Sequence, residues 1–432
     1  MYRTYPGTER VTISPEGRRA ALAGALGSVV ELYDFLTYGL AAASVFGKLF
    51  FPAAAPWVGV LLSFATFGAG FVARLFGAAV LGNLGDRLGR KPVLLLSVGV
   101  GGLATVAIGV LPTYAAIGAL APLTLVLLRV VQGFFVGGEV GGGILVAVEH
   151  ASPGRRGWYG SWIITALVGG SVLAGLASLF AHTVAGTEFI TWGWRLPFLI
   201  SAVPTVVTLL VRSGLPETPE FEIHRDKDDL VRWPWLRVWR TAWRQIVIVA
   251  ATNTGLTMMT FTLITFVLSY GLNTLHIAQP VLQRATLLAQ FLLLPSALLF
   301  GHLSDRYGAL RIMLGGAIFN TLVAFPLYWL LDTKQPVLLT LAICIAQMGT
   351  GAMLGPLAAA FTEAFDVRVR YSGLSLGYQL GAVLGGGLVP LVGTALVHWS
   401  GGASWPVALY LMAGGLVSVT GVLAMRTARR AS

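Results

Sequence analysis

The sequence predicts an all-α membrane protein of twelve transmembrane helices, built as two six-helix bundles related by pseudo-two-fold symmetry. Three observations carry that prediction: the composition, the number of long apolar runs, and an internal duplication. Of 432 residues, 56% are hydrophobic and 11% charged, with a mean hydropathy of +0.78. A soluble domain is roughly a quarter charged, and one of this length cannot hide so much apolar surface from water. The 54 glycines suit helices that pack closely in lipid. The single cysteine, Cys344, excludes an internal disulfide and a cysteine-based metal site.

Twelve apolar stretches are long enough to cross a bilayer, which takes about 20 residues. They run near 20–43, 57–81, 93–111, 117–148, 158–182, 195–212, 245–271, 282–303, 312–331, 337–362, 373–397 and 405–425. The first 17 residues are polar and lack a signal-peptide pattern, so the first span is expected to be retained. An even number of spans puts both termini on one face. Of the 29 Lys and Arg residues, 23 fall in the two tails and in the loops after even-numbered spans. The opposite loops hold only Lys48, Arg195, Arg284 and Lys334. This is the positive-inside asymmetry, and it predicts a multi-pass protein of the cytoplasmic (inner or plasma) membrane with both termini cytoplasmic. It also accounts for the net charge of +11 without nucleic acid.

The duplication comes next. Gly82-Asn-Leu-Gly-Asp-Arg-Leu-Gly-Arg90 follows span 2, and Gly301-His-Leu-Ser-Asp-Arg-Tyr-Gly-Ala309 follows span 8, 219 residues later. Glu149 precedes Arg156 by seven residues, and Glu363 precedes Arg370 by seven, an offset of 214. Two halves in the same orientation are the parallel repeat of one large transporter class, whose cargo site lies between the halves near mid-membrane. The boundaries follow: an N-terminal bundle over 1–212, a charged, proline-bearing cytoplasmic linker over 213–244, and a C-terminal bundle over 245–432.

These motifs resemble a known family. Gly82-x-Leu-Gly-Asp-Arg-x-Gly-Arg-Lys-Pro92 is similar to the major facilitator loop signature, and Arg129-Val-Val-Gln-Gly133 with Glu149 and Arg156-Gly157 to its helix-4 signature. More narrowly, Glu31-Leu-Tyr-Asp-Phe35, Lys48-Leu-Phe-Phe-Pro52, Gln132-Gly-Phe-Phe-Val-Gly-Gly-Glu139, Tyr159-Gly-Ser-Trp162, Gly193-Trp-Arg-Leu-Pro-Phe198, Glu217-Thr-Pro219 and Arg368-Val-Arg-Tyr-Ser-Gly-Leu-Ser-Leu-Gly-Tyr378 resemble the metabolite:proton symporter subfamily. The resemblance implies the major facilitator fold, alternating access, monomeric action, and transport of organic acids such as citrate, 2-oxoglutarate or shikimate, or of zwitterions such as proline and betaine, usually with protons. The chain departs from the subfamily pattern at Leu32, Leu75 and Gln379, and its second loop signature lacks the terminal basic pair, reading Gly308-Ala309-Leu310-Arg311.

Ionisable side chains within lipid cost roughly 2.5–3.5 kcal/mol each on insertion scales and are functional candidates by default. Here they are Glu31 and Asp34 on span 1, Arg74 on span 2, and Arg129 and Glu139 on span 4; the second half offers only Glu363. Glu31 and Asp34 share a helix face. Two carboxylates in a low-dielectric cavity do not both ionise cheaply, so one can carry a proton. Asp34 is the candidate coupling acid, with Glu31 and Glu139 beside it; the alternative is that Asp34 pairs with an arginine to hold helices together. Arg129, near mid-depth, suits a bidentate contact with an anionic substrate. The alternative is a structural pair with Asp34 or Glu139. Gln132 and Tyr33 join it as candidate substrate residues, with Asn253, Tyr378 and Gln379 from the second half. Gln290, Asn320 and Gln347 are further uncharged polar groups within spans. Thr257 and Thr260 read as packing residues.

Candidate gating residues are Arg74, which an inner pair with Glu139 would engage, then Gly85, Asp86, Arg87, Gly89 and Arg90 in the loop signature, and Arg156, Asp305 and Arg306. The resemblance implies that Asp86 caps the start of helix 11 near Ser372 and Gly373, while Gly85 and Gly89 allow a tight turn. No phosphate-binding loop occurs, so no nucleotide drives the protein. The histidines do not cluster at ligand spacing. The expected function is therefore proton-coupled symport of a small carboxylate or zwitterion, with no cofactor beyond the proton gradient and no enzymatic activity. Proton-coupled export of a metabolite or drug is the alternative.

Overall fold

The computed structural model describes residues 15–88, 90–137, 154–214, 234–366 and 370–431. All regular structure among them is helical. The membrane-crossing segments are α1 (Gly24–Phe50), α2 (Pro56–Gly82), α3 (Lys91–Val110), α4 (Leu120–Val136), α5 (Arg156–Phe189), α6 (Gly193–Ser213), α7 (Val238–Asn273), α8 (Gln279–Tyr307), α9 (Ala309–Asp332), α10 (Pro336–Thr362), α11 (Ser372–Trp399) and α12 (Trp405–Ala428). Eleven have the length and hydropathy to span a bilayer; α4 is described to Val136, and the remainder of its expected span to 148 lies outside the described residues. In lipid every backbone N–H and C=O must be satisfied within the chain, which is why apolar runs of this length close into helices.

Packing repeats with the sequence. In the first six helices, α1 lies against α5, α2 against α4, and α3 against α4 and α6. In the second six, α7 lies against α11, α8 against α10, and α9 against α10 and α12. The two sets meet along α5–α8 and α2–α11, and α1 approaches α7. The face bearing the chain termini is called here the terminal face, and the opposite one the distal face.

Two features shape the interior. First, α1, α7 and α11 each contain a π-helical turn, at Ala42–Phe46, Thr262–Phe266 and Val383–Gly387. The first two occupy matching places in the two halves. Such turns insert an extra residue, re-aim side chains and recur at functional sites. Second, glycines let helices touch backbone to backbone. A Cβ at Gly77 would collide with the Phe134 carbonyl, joining α2 to α4, and one at Gly133 with the Gly70 carbonyl on the same seam. Gly308, at φ +94°, makes the turn from α8 to α9 that a side chain would strain.

The seam can be tested. Gly77→Val overfills a contact made of backbone, at a cost of roughly 1–3 kcal/mol, so its melting temperature in detergent falls clearly below wild type. Gly169→Val, at a position with open space around it, melts with wild type. Thermal unfolding followed by size-exclusion chromatography reads both.

Candidate functional site

Arg129 lies nine residues into α4, about 14 Å along the helix axis. It is fully buried, at 0% exposure. Its guanidinium carbon sits 3.9 Å from the ring centre of Phe35, 4.3 Å from Tyr38 and 5.0 Å from Phe67. Aromatic faces attract a cation, more strongly when water is excluded. Gly70 on α2 makes room: a Cβ there would run into the guanidinium. Nη1 donates to Gln132 Oε1 at 2.5 Å, and Gln132 Nε2 donates to Thr105 Oγ1 of α3 at 2.7 Å. Gln132 therefore braces the arginine with the amide that the sequence reading assigned to substrate.

The other edge of the guanidinium is different. Nε and Nη2 are buried and have no hydrogen-bond acceptor in the protein. They are adjacent donors in the fork geometry that matches a carboxylate. Leaving donors of a buried charge unsatisfied is costly, so the edge calls for an anion. Asp34, 2% exposed on α1, is close enough to act electrostatically on Arg129.

The second buried arginine is engaged. Arg74 Nη2 donates to Glu31 Oε1 in a buried ion pair between α2 and α1. The expected inner pair joins Arg74 to Glu139; in the structure Arg74 is held by Glu31, and Glu139 lies outside the described residues. Glu31 is thus the ion-pair partner of Arg74, three residues before Asp34 on α1. Tyr33 differs from expectation too. One residue, about 100° of helix, separates it from Asp34, and its hydroxyl donates to the Pro197 carbonyl of α6 at 2.7 Å. Phe35, Phe67, Phe71 and Phe261 pack ring to ring, with centroids 4.5–6.3 Å apart, and carry the site across from α1 and α2 to α7.

The second half contributes uncharged groups. Asn253 is fully buried; its Nδ2 donates to the Tyr378 carbonyl at 2.8 Å, while its Oδ1 has no donor. Gln379 is 1% exposed beside it in sequence, and the Tyr378 side chain is half-buried. Gln290 Oε1 accepts from Ser171 of α5 at 2.9 Å. Gln347 is 1% exposed, and neither end of its amide has a partner. Thr257 and Thr260 donate to helix carbonyls, as packing residues do. A recess of about 260 Å³ between α1, α5 and α6, lined by Thr37, Ser44, Ser178 and Trp194 among others, includes none of the buried charges.

Contacts join the two halves at both faces. On the terminal face, Asp305 of α8 accepts from the backbone N–H groups of Gly157 at 2.7 Å and Trp158 at 2.9 Å. A carboxylate from one half thus caps the N-terminus of α5 in the other, where the helix dipole favours an anion. Arg156 approaches Glu363 at 3.6 Å in the same region. Arg306 lies over the ring of Tyr307. On the distal face, Trp57 of α2 stacks on His398 of α11, centroids 3.8 Å apart and 9° from parallel, and Gln283 donates to Ser178 at 2.9 Å. Gly85 does not make a turn: the helix runs through it to Leu88. The side chains of Asp86, Arg87 and Arg90, and Gly89 as a whole, lie outside the described residues, so the expected contact of Asp86 with the start of α11 does as well.

The comparison with known proteins now decides the class. The model of the Major Facilitator Superfamily matches residues 35–385. The chain belongs to the Major Facilitator Superfamily. It is 37% identical over 436 residues to the shikimate transporter of Escherichia coli K12, covering 100% of this chain and 99% of that protein. It is 32% identical to the proline/betaine transporter of the same organism, covering 97% and 86%, and 32% identical to the citrate-proton symporter of Salmonella typhi, covering 96% and 97%. The fold also matches a partially occluded, inward-open structure of the E. coli xylose transporter, with a TM-score of 0.75 at 15% identity over 96% of this chain and 98% of that one. The protein is thus a multi-pass membrane transporter, not an enzyme, and its relatives include proton symporters of small molecules.

The Asp305 cap yields a prediction. Asp305→Ala removes two charge-assisted hydrogen bonds that join the two halves at the terminal face. Losing a helix cap costs about 0.5–2 kcal/mol, so the population opens on the terminal face by about tenfold. Distances between spin labels on the terminal ends of α5 and α8 report the shift.

Proposed function

We propose that the protein is a proton-coupled symporter of a small carboxylate. The observation that carries this reading is the buried Arg129, whose Nε and Nη2 have no acceptor and whose nearby acid is Asp34. Charge balance supplies the coupling. With Asp34 ionised and no substrate, Asp34 and Arg129 sum to zero. With Asp34 protonated and a carboxylate on Arg129, they again sum to zero. Either species alone leaves a net charge in a low-dielectric site, which is expensive to carry across the membrane. Substrate and proton therefore travel together or not at all, one proton per carboxylate.

Arg74 and Glu31 form their own ion pair beside the site. The faces of Phe35 and Tyr38 are covered by the Arg129 guanidinium, which disfavours an aromatic box for a quaternary ammonium and favours the carboxylate over betaine. Asp305 and Arg156 on the terminal face, with Trp57 and His398 on the distal face, act as the gates. The relatives named for shikimate and citrate support an organic acid as cargo. In this reading the protein sits in a bacterial cytoplasmic membrane with both termini inside, acts as a monomer, and uses the proton gradient without a cofactor.

Liposomes in a weakly buffered medium with a pH-sensitive dye test it. Adding shikimate to wild type alkalinises the outside as protons enter with the acid. Asp34→Asn abolishes uphill uptake but keeps exchange. External acidification, as an antiporter gives, or silence across organic acids, amino acids and betaines overturns the proposal. Arg129→Lys keeps the charge and loses the fork; hydrogen bonds to charged groups are worth about 1.5–3 kcal/mol, so its KM rises about ten- to a hundredfold in the same assay.

A further inference from the structure

We infer that Gln347, on α10, is the specificity-determining residue of a second subsite, which reads a hydroxyl group on the carboxylate held by Arg129. The inference rests on the carboxylate reading above and names the other end of the substrate.

Its placement comes from its neighbours. Two residues before it lies Ile345, which is exposed on the outer surface of the helix bundle; two residues after it lies Gly349, packed against Asn320 of α9. Each is about 200° round the helix from Gln347. Gln347 therefore points away from both lipid and α9, toward the interior of the molecule. Gly351, four residues on, meets Ser296 of α8, which places Gln347 one turn toward the distal face of that contact. The internal duplication gives its depth. The 214-residue offset between the Glu149–Arg156 and Glu363–Arg370 pairs maps Gln347 onto Gly133 of α4. Gly133 is four residues, about 6 Å, from Arg129 toward the terminal face. Helices α4 and α10 are equivalent in the two halves, which sets Gln347 in the opposite half roughly one turn from the level of the arginine.

Its chemistry selects the ligand. A buried amide with neither end bonded is costly, and native interiors rarely leave one so. Gln347 offers a donor at Nε2 and an acceptor at Oε1, both without partners. A hydroxyl is donor and acceptor at once and satisfies both. A second carboxylate offers only acceptors and would set a negative oxygen against Oε1; an ammonium offers only donors. No cation is buried in the second half among the described residues to hold a second carboxylate: the buried arginines are Arg74, Arg129 and Arg212. Asn253 Oδ1, also without a donor, adds a further acceptor on α7 for a hydroxyl proton. The substrate class is a monocarboxylate bearing hydroxyl groups.

The test compares shikimate with cyclohex-1-ene-1-carboxylate, which keeps the ring and carboxylate and lacks the hydroxyls, by proton uptake into liposomes. Wild type has a KM at least tenfold lower for shikimate. Gln347→Met conserves length and removes the amide; it raises the shikimate KM about tenfold and leaves the KM of the bare acid unchanged, narrowing the ratio. A purely structural role would move both together. Gln347→Asn, which keeps the amide on a shorter stem, gives an intermediate ratio and carries the comparison if the Met variant does not elute as a folded monodisperse protein. A KM ratio unchanged by both variants, with carboxylate transport intact, overturns the Gln347 assignment alone. Absence of proton uptake with either acid in wild type overturns the Arg129 reading and this one with it.

Discussion

A guanidinium buried at mid-membrane without enough acceptors is the constraint around which the rest of this structure is arranged. Burying a charge costs several kcal/mol after relaxation and must be offset locally. The protein offsets part of that cost with the faces of Phe35, Tyr38 and Phe67, and part with the brace from Gln132 to Thr105. It stops short of full satisfaction at Nε and Nη2. Even the seam of α2 and α4 serves this end, since Gly70 and Gly133 bring the helices close enough for the arginine to lie over a bare Cα.

The remaining charges follow from it. Glu31 pairs with Arg74, and in the proposed mechanism Asp34 and Arg129 carry the exchange of proton and carboxylate. In the proposed mechanism, a site that is neutral in two ways and charged in two others selects which combinations move between the faces. Among the described residues, the contacts proposed as gates are correspondingly weak: a helix cap by Asp305 and one half-exposed ion pair on the terminal face, a stacked Trp57–His398 pair and one amide–hydroxyl bond on the distal face. Contacts worth about a kcal/mol each can be made and broken in every cycle. The π-turns in α1, α7 and α11 lie on the helices that carry Asp34, Asn253 and Gln379, where local irregularity lets side chains turn without unfolding the helix.

Much of this was legible in the chain. Apolar runs gave the helices because lipid permits little else, and the repeated Gly-x-x-x-Asp-Arg signature gave the parallel halves. Asp34 and Arg129 stood out because charges within lipid are rare. What pattern could not supply was the partner of each polar group. Gln132 has the helical spacing of a ligand and serves as a brace; Tyr33 lies in the same motif as Asp34 and bonds to α6. Arg74 could reach an acid on α1 or α4, and only the packing decides for Glu31. The aromatic cage has a signal in the sequence: Phe35 and Tyr38 lie one turn apart beside Asp34, and Phe67 and Phe71 flank Gly70 on α2. The π-turns leave no trace in hydrophobic periodicity.

The central claim is that protonation of Asp34 balances the charge of a carboxylate bound at Arg129. It is tested most directly by counting protons taken up on binding, without transport. Titration calorimetry of the purified protein with shikimate, repeated in buffers of different ionisation enthalpy near neutral pH, gives that count. The account predicts uptake approaching one proton per carboxylate bound, falling to none in Asp34→Asn while binding persists. Binding with no linked proton in wild type, or the same uptake in Asp34→Asn, would contradict it.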